Sequence, residues 1–564
     1  MLVETGTATG KRWVRRDQSA AACELPGLPP TMARLLGARG YVDAAAAEAF
    51  LRGAQDRDHD PLLLPQIEPA LARIAAAIHG SELIAVFGDF DVDGVTATAI
   101  LVEGISALGG RVIPYLPDRF SEGYGVNSGA LTELRSRGAS LVITADCGIS
   151  ADNEVDHANE IGLDVIVVDH HAIPPRLPEA VALVDPKLPG CEYPCLELAA
   201  CGVAFKLLSA LADRLGASFD PEQHLDLVAL GTVCDMAPLL GENRVLVRQG
   251  LKALRSTARP GLWALAEAGR FDLRDANAET LGFRIGPRLN AAGRIAHAGL
   301  AYELLTTEDE TRARELAQQL EALNAERQRI TKHAVEVSQQ LIAEEGPNGA
   351  ALIMVGHAEI QQGIVGLVAG RLAEAYRRPA IVYQHLGESC RGSARGIPEF
   401  NVVEALQAAA PLMTRFGGHR QAGGFTAPAA NMAELRAFLG AYAHERLDGR
   451  DLTPSLEYDE EIDLDAFGER ERKWLPFLEP YGLANAEPVF VARGLNVVES
   501  RAVGGDQTHL RLRLRSGAAT WPGIAFGLAH AAPRRGARID AAFTVRPGRN
   551  GAPDLHVKDF SPAL

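Results

Sequence analysis

LIAVFGDFDVDGVTATAILVEGISALG, residues 83–109, decides how this chain of 564 residues folds. Its opening LIAVF is an unbroken apolar run, the pattern of a short strand buried on both faces. VTATAILVEGISALG (95–109) reads as a helix. Between them lies a turn carrying Asp89, Asp91 and Asp93. The alternation continues outward. RVIPYL (111–116), LVIT (141–144) and DVIVV (164–168) read as strands, with helical stretches at LTELRSRG (131–138) and up to Ile161 between them. Strands alternating with helices mean βαβ units and a mainly parallel sheet. Right-handed crossovers then place every strand C-terminus on one edge.

Residues 1–45 read as a short helical lead and 46–305 as the main α/β domain, mostly helical from Leu198 to Ala268. A long helix is expected to start at Thr307, with Glu310 completing a capping box, and to run to Glu345 before GPNG stops it. That span is about 58 Å long at about 1.5 Å per residue. Its seam, Leu316, Leu320, Leu323, Arg327, Ile330, Ala334, Val337 and Leu341, alternates spacings of four and three. The seam is short for a dimeric coiled coil and contains an arginine, so a rigid connector over 306–346 is expected, in a monomer. ALIMVG (351–356) and AIVYQ (380–384) around a helix at 364–377 form a smaller α/β domain, 347–450. Residues 451–564 change to alternating strand-like runs such as HLRLRLRS, the signature of a small antiparallel barrel or sandwich.

Net charge is −16, which taken alone disfavours a polyanionic partner. The charge is uneven: residues 491–564 carry a net +6 and residues 1–490 a net −22. The start, MLVETGTATGKRWVRR, has no apolar signal core, and no uncharged apolar run is long enough to span a membrane. Seven cysteines, sparse and odd in number, fit reduced thiols and a cytoplasmic setting. Cys191, Cys195 and Cys201 lack paired zinc-ligand spacing and read as small buried side chains.

Four places hold clustered metal-type ligands: GDFDVDG with Asp89, Asp91 and Asp93; TADCG with Asp146; VDHH with Asp169, His170 and His171; and GTVCD with Asp235. The first three follow predicted parallel strands directly. Open α/β sheets bind ligands at that edge, so the three stretches converge on one crevice. Several carboxylates in one crevice repel each other unless protons or cations neutralise them. Oxygen ligands with one or two imidazoles suit Mn²⁺ or Mg²⁺ better than a zinc–thiolate site. The set suffices for two ions about 3.5–4 Å apart, the usual arrangement for phosphoester hydrolysis. DxDxDG is not an EF-hand, because the twelfth position from Asp89 is Ile100.

These four motifs together resemble those of the DHH phosphoesterase superfamily. GGHRQAGGF (417–425) resembles the signature of the second domain in its DHHA1 branch. RFSEGYGVN (119–127), PRLNAAGRI (287–295) and GSARG (392–396) resemble the single-strand-specific exonucleases of that branch. The resemblance runs from about residue 30 to the C-terminus. It implies a parallel-sheet DHH domain, a DHHA1 domain and an oligonucleotide-binding (OB-like) barrel. It also implies a metal-dependent 5′→3′ exonuclease on single-stranded DNA, acting in recombination and repair. By the same likeness one ion is held by Asp89, Asp91 and a shared Asp146, and the second by Asp93, Asp146, His170 and Asp235. His171 would then contact the scissile phosphate, while Asp169 holds an imidazole. A single-strand-binding protein and a helicase are the implied protein partners. Two alternatives stay open: a short-oligonucleotide or pAp phosphatase, and an inactive replication scaffold. The C-terminal module and the Ser393/Arg395 motif argue against the first, and the intact carboxylates against the second.

For holding a strand, Ser393 and Arg395 combine a hydroxyl and a guanidinium suited to a terminal phosphate. Arg288 and Arg294 are further phosphate candidates. Arg119 suits a backbone phosphate, and Tyr124 in the same Gly-rich loop suits base stacking. His419 sits between glycines whose amides can approach phosphate. Arg511, Arg513 and Arg515 alternate onto one face of a strand in the basic module.

Overall fold

The computed structural model describes residues 6–16, 21–53, 59–123, 125–345, 350–548 and 552–563. The first lobe is built from β1 (Leu83–Gly88), α1 (Val92–Ala107), β2 (Arg111–Tyr115), α2 (Ser128–Ser136), β3 (Ala139–Ala145), α3 (Asp152–Glu160), β4 (Asp164–Val168) and β5 (Ala182–Val184). The five strands form one parallel sheet in the order β2-β1-β3-β4-β5. The order reverses between β1 and β3, and such a switch point opens a ligand crevice at the strand C-termini. Phe87, Val142, Ile143 and Val167 are fully buried, as strands covered on both faces demand. α1 and α4 (Ala200–Leu215) cover one face, with α5 (Leu225–Cys234) packed behind them and α6 (Gly286–Ile295) against α1. α6 reaches the acidic turn because position 293 is glycine: a Cβ there would collide with the Phe90 carbonyl.

The connector α7 spans Glu310–Glu345, 36 residues, rather than starting at Thr307. Asp309 takes the cap instead, its Oδ1 accepting from the amides of Thr311 (2.7 Å) and Arg312 (3.3 Å). Thr307 is left to support Asp309, its Oγ1 accepting the Asp309 amide. The seam serves two cores in succession. Leu316 and Leu320 are buried in the first lobe, Ile330 and Ala334 in the second. Arg327 falls between them.

The second lobe contains β6 (Ile353–Gly356), α8 (Val365–Tyr376), β7 (Ala380–Leu386), β8 (Ser389–Arg395), β9 (Arg415–His419) and β10 (Ala422–Pro428). Its sheet order is β9-β10-β8-β7-β6, with only β6 and β7 paired in parallel. GSARG supplies the end of the central strand β8. GGHRQAGGF is a hairpin in which His419 opposes Ala422.

β11 (Phe490–Val503), β12 (His509–Ser516), β13 (Ala519–Ala525), β14 (Arg538–Pro547) and β15 (Pro553–Pro562) close into a five-stranded OB-like barrel through the β11–β14 pairing. The N-terminal lead is not a unit of its own. Its Met32, Leu35 and Leu36, together with Phe50 and Leu51 just beyond it, share one core with Phe490, Leu512 and Phe543 of the barrel. Residues 12–15 also pair in parallel with Ser455–Tyr458. A lead this short cannot bury its apolar face alone, so it borrows the barrel's. Arg244 of the first lobe ties the two together, donating to the carbonyls of Phe50, Phe477 and Leu478. Among the described residues no helix is long and apolar enough to cross a membrane.

Candidate metal centre and phosphate grip

Asp89, Asp91 and Asp93 leave the end of β1, Asp146 the end of β3, and Asp169, His170 and His171 the end of β4. Asp235 caps α5, which lies across the same edge. The local chain explains each placement. Asp91 is the N-cap of α1, its Oδ1 accepting from the amides of Asp93 (2.9 Å) and Gly94 (3.2 Å). Position 94 must be glycine, since a Cβ would sit 2.6 Å from the Asp89 nitrogen. Asp93 turns the other way and accepts from the Ala200 amide (2.7 Å) and the Cys201 amide (3.0 Å), at the N-terminus of α4. Free amides and the helix dipole favour an anion there. Asp146 has a left-handed backbone (φ 67°), which projects it from the strand end.

These side chains form three overlapping groups whose ligand atoms lie within 4.8 Å of one another: Asp89, Asp91 and Asp146; Asp93, His170 and Asp235; and Asp146, His170 and His171. Nε2 of His170 is 3.1 Å from Asp146 and 3.9 Å from Asp93, and its Nδ1 is 3.8 Å from Asp235. Asp89 Oδ1 is buried without a hydrogen-bond partner among the described residues.

The electrostatics follow from burying like charges. Burial, reinforced by neighbouring carboxylates, holds Asp89, Asp93, Asp146 and Asp235 above the ordinary aspartate range. Burial lowers His170 despite Asp93 beside it. Asp169 behaves differently. Burial opposes its charge, but it accepts from the amides of Ile149, His170 and His171 and from Nδ1 of His171 at 2.7 Å, so its pKa falls. Burial likewise opposes the His171 imidazolium, yet the Asp169 contact raises its pKa to about 9. The Asp169 contact thus favours the imidazolium form of His171 and orients its ring.

A second, cationic cluster faces this centre from the loop after β2, α6, α7 and the second lobe. Arg119 lies 4.6 Å above the Phe90 ring and feels the charge of Asp89 and Asp91. Arg294 is pushed down to about 10 by burial and by Arg119, Arg327 and Arg395. Arg395 donates to the Ser393 hydroxyl (2.7 Å) and to the Ala394 carbonyl. Ser393 donates in turn to the Gly423 carbonyl (3.2 Å). Gly366 of α8 lets this pair approach, since a Cβ there would sit 2.8 Å from the Arg395 guanidinium. His419, exposed on its hairpin, is close enough to His171 and Lys187 that desolvation and their charge lower its pKa.

Arg288 is not part of this cluster's open face. It is buried, donates to Glu321 of α7 and to the Arg284 carbonyl, and braces the connector. Tyr124 lies outside the described residues. Arg327, read from sequence only as an odd seam residue, has a buried, unpartnered Nε and lines a cavity of about 1380 Å³ with Arg294, Met236, Phe283 and Arg472. An arginine interrupting an apolar seam was the available signal for it. The barrel's Arg511, Arg513 and Arg515 are exposed on one face of β12.

Fold and site define a protein of the DHH class. The model of the DHH family N-terminal domain matches residues 83–232, that of the DHHA1 domain residues 347–445, and that of the RecJ OB domain residues 458–550. The chain is similar to the single-stranded-DNA-specific exonuclease RecJ of Bacillus subtilis, 38% identical over 90% of this chain, and spans 65% of that protein's length. To the protein of the same name from Dickeya dadantii it is 35% identical, over 91% of this chain and 92% of that one. Among solved structures it resembles RecJ from Thermus thermophilus in complex with Mn²⁺, with TM-score 0.82 and 30% identity, covering 98% of this chain and 80% of that one. The Thermus protein has also been solved with Mg²⁺. The chain belongs to the RecJ family.

Proposed function

We propose that the chain hydrolyses single-stranded DNA from the 5′ end to mononucleotides, using two divalent cations, in recombination and repair. The observation that carries this reading is the convergence of Asp89, Asp91, Asp93, Asp146, His170 and Asp235 in overlapping ligand groups on one edge of the sheet. Asp89, Asp91 and Asp146 would hold one ion, and Asp93, His170 and Asp235 the other, with Asp146 available to both. The residues fit such ions. The donors are mainly carboxylate oxygens with imidazole, and Asp89 keeps a buried oxygen without a partner. When bound, the ions supply the Lewis acidity that activates water and screens charge on the phosphoryl oxygens.

His171, kept protonated and oriented by Asp169, offers a positive charge to the scissile phosphate. Arg119 and Arg294 bind phosphates leading into the crevice. Ser393 and Arg395, pre-linked to each other, grip the 5′ phosphate across the lobes and so set the direction of digestion. His419 supports the same phosphate group from its hairpin. The barrel's exposed arginines draw in the longer strand. Because the reaction consumes unpaired strand, a helicase and a single-strand-binding protein are its natural partners, in the cytoplasm. In domain terms the lead and residues 451–564 act as one module beside the DHH and DHHA1 lobes. Single strands labelled at either end test the reading. Mononucleotides should appear from the 5′ end with Mn²⁺ or Mg²⁺ and not with chelator. Digestion from the 3′ end, or release of terminal phosphate alone, overturns it.

A further inference from the structure

β5 closes the parallel sheet, and the loop after it brings a cation to the edge that carries the acidic centre. β4 and β5 run in parallel register, Val167 opposite Leu183 and Val168 opposite Val184. The Asp169 amide extends the ladder by donating to the Val184 carbonyl (3.2 Å). Asp185–Lys187 therefore leave the sheet alongside Asp169–His171. Asp185 is fully buried, and its Oδ1 accepts the Lys187 amide at 2.8 Å, which fixes the turn. The Lys187 ammonium lies 3.4 Å from Glu197 Oε2, in a pair whose glutamate is 58% exposed. From there its charge reaches His170, Asp235 and Asp185 in the first lobe and His419 in the second.

We propose that Lys187 is a substrate-contacting residue: its ammonium leaves Glu197 and binds a phosphodiester oxygen of the single strand where it passes between the acidic centre and the His419 hairpin. A partly exposed pair such as Lys187–Glu197, its side chains 28% and 58% exposed, is modest and screened by salt, whereas a phosphate at the crevice mouth is a full charge-assisted partner. Glu197 holds the flexible side chain near the crevice until a strand arrives, and competes with that strand for it. The idea rests on the reading of the chain as a single-strand nuclease.

The probe is a 5′-phosphorylated single-stranded oligonucleotide for turnover, and the same strand with non-hydrolysable linkages for binding. Lys187→Gln should raise KM about tenfold, the low end for losing a charged phosphate contact, with kcat little changed. Its binding should depend less steeply on salt, by about 0.7 in log–log slope, as for one lost phosphate contact on a single strand. Lys187→Arg should restore both, and Glu197→Gln should lower KM by freeing the ammonium. Melting temperature of the free protein should match wild type, and its Mn²⁺ binding should be no weaker, since a cation near His170 and Asp235 has been removed; that separates substrate contact from a structural role. Unchanged KM and salt slope in Lys187→Gln, or a loss that follows melting temperature, overturns the proposal. If wild-type protein itself leaves single strands intact, it is the parent reading that fails.

Discussion

The acidic crevice and the barrel face use charge in opposite ways. In the crevice, Asp89, Asp93 and Asp146 are almost completely buried, held by strand ends and by amides at helix termini. On the barrel, Arg511, Arg513 and Arg515 project into solvent, and the nearest carboxylate to Arg511 stands 3.9 Å away. Burying like charges is costly, so the crevice stores a demand for cations that positions them tightly. Exposed charges cost little and act over about 8–10 Å at ordinary salt, which suits attraction rather than positioning. On the proposed reading, chemistry and capture are thereby separated within one chain.

The largest effect should come from relieving the buried charge. Asp146→Asn keeps the shape, and asparagine tolerates the left-handed backbone. Hydrolysis should fall below detection. Without metal, however, its melting temperature should rise, because a repelling carboxylate has been removed, and the upward shift produced by Mn²⁺ should shrink. For a carboxylate whose folded pKa is raised, stability is greatest below its unfolded value near 3.8 and is lost as pH climbs through the folded one. Chelated wild-type protein should accordingly lose stability on going from acid to neutral pH, while the Mn²⁺-induced shift grows over the same range as protons stop competing. Thermal melts at several pH values, with and without Mn²⁺, check both signs. A metal-free melting temperature that drops in Asp146→Asn would show that the crevice is not electrostatically loaded.

A middling effect is expected where the two charge regimes meet. Arg395→Ala should weaken binding of 5′-phosphorylated strands by about 1.5–3 kcal/mol, roughly ten- to 150-fold, while leaving the Mn²⁺ shift intact. The same variant should lose much less on 5′-hydroxyl strands. Equal losses on both would remove end capture from the Ser393–Arg395 pair.

The smallest effect belongs to the barrel. Cutting at residue 452 is a poor test, because it would strip the lead's Met32, Leu35 and Leu36 of their core. Replacing Arg511, Arg513 and Arg515 together by Gln leaves the fold alone. Affinity for long strands should fall modestly, and the salt slope should flatten by about two, three contacts at about 0.7 each. Very short oligonucleotides should be digested as before. If short and long strands suffer alike, the barrel contributes to the crevice itself and the separation of roles fails.

Much of this was readable from the chain because it is local. A buried strand followed at once by an acidic turn places Asp89, Asp91 and Asp93 at a sheet edge, and the same logic covers Asp146 and the Asp169–His171 run. Asp235 has no such strand before it; only the whole motif set pointed there, and it reaches the crevice through the packing of α5. The identities of Ser393 and Arg395 were legible, but not their place on a central strand, since strand pairing with β7 and β10 is decided by distant residues. Arg288 and Arg294 stand six residues apart in one motif and look equivalent, yet neighbours on α7 capture the first while the second faces other arginines.

The sequence by itself determined which elements form, where the acidic turns lie along them, and which ions such donors prefer, because periodicity and residue chemistry act within a few residues. The tertiary structure alone decided that the N-terminal lead belongs to the C-terminal barrel, that Arg327 stands between the lobes, and that the loop carrying Lys187 leaves the sheet beside the end of β4. Those outcomes depend on which surfaces bury against each other across hundreds of residues, and the free energy of that burial depends on shape and area that no local pattern encodes.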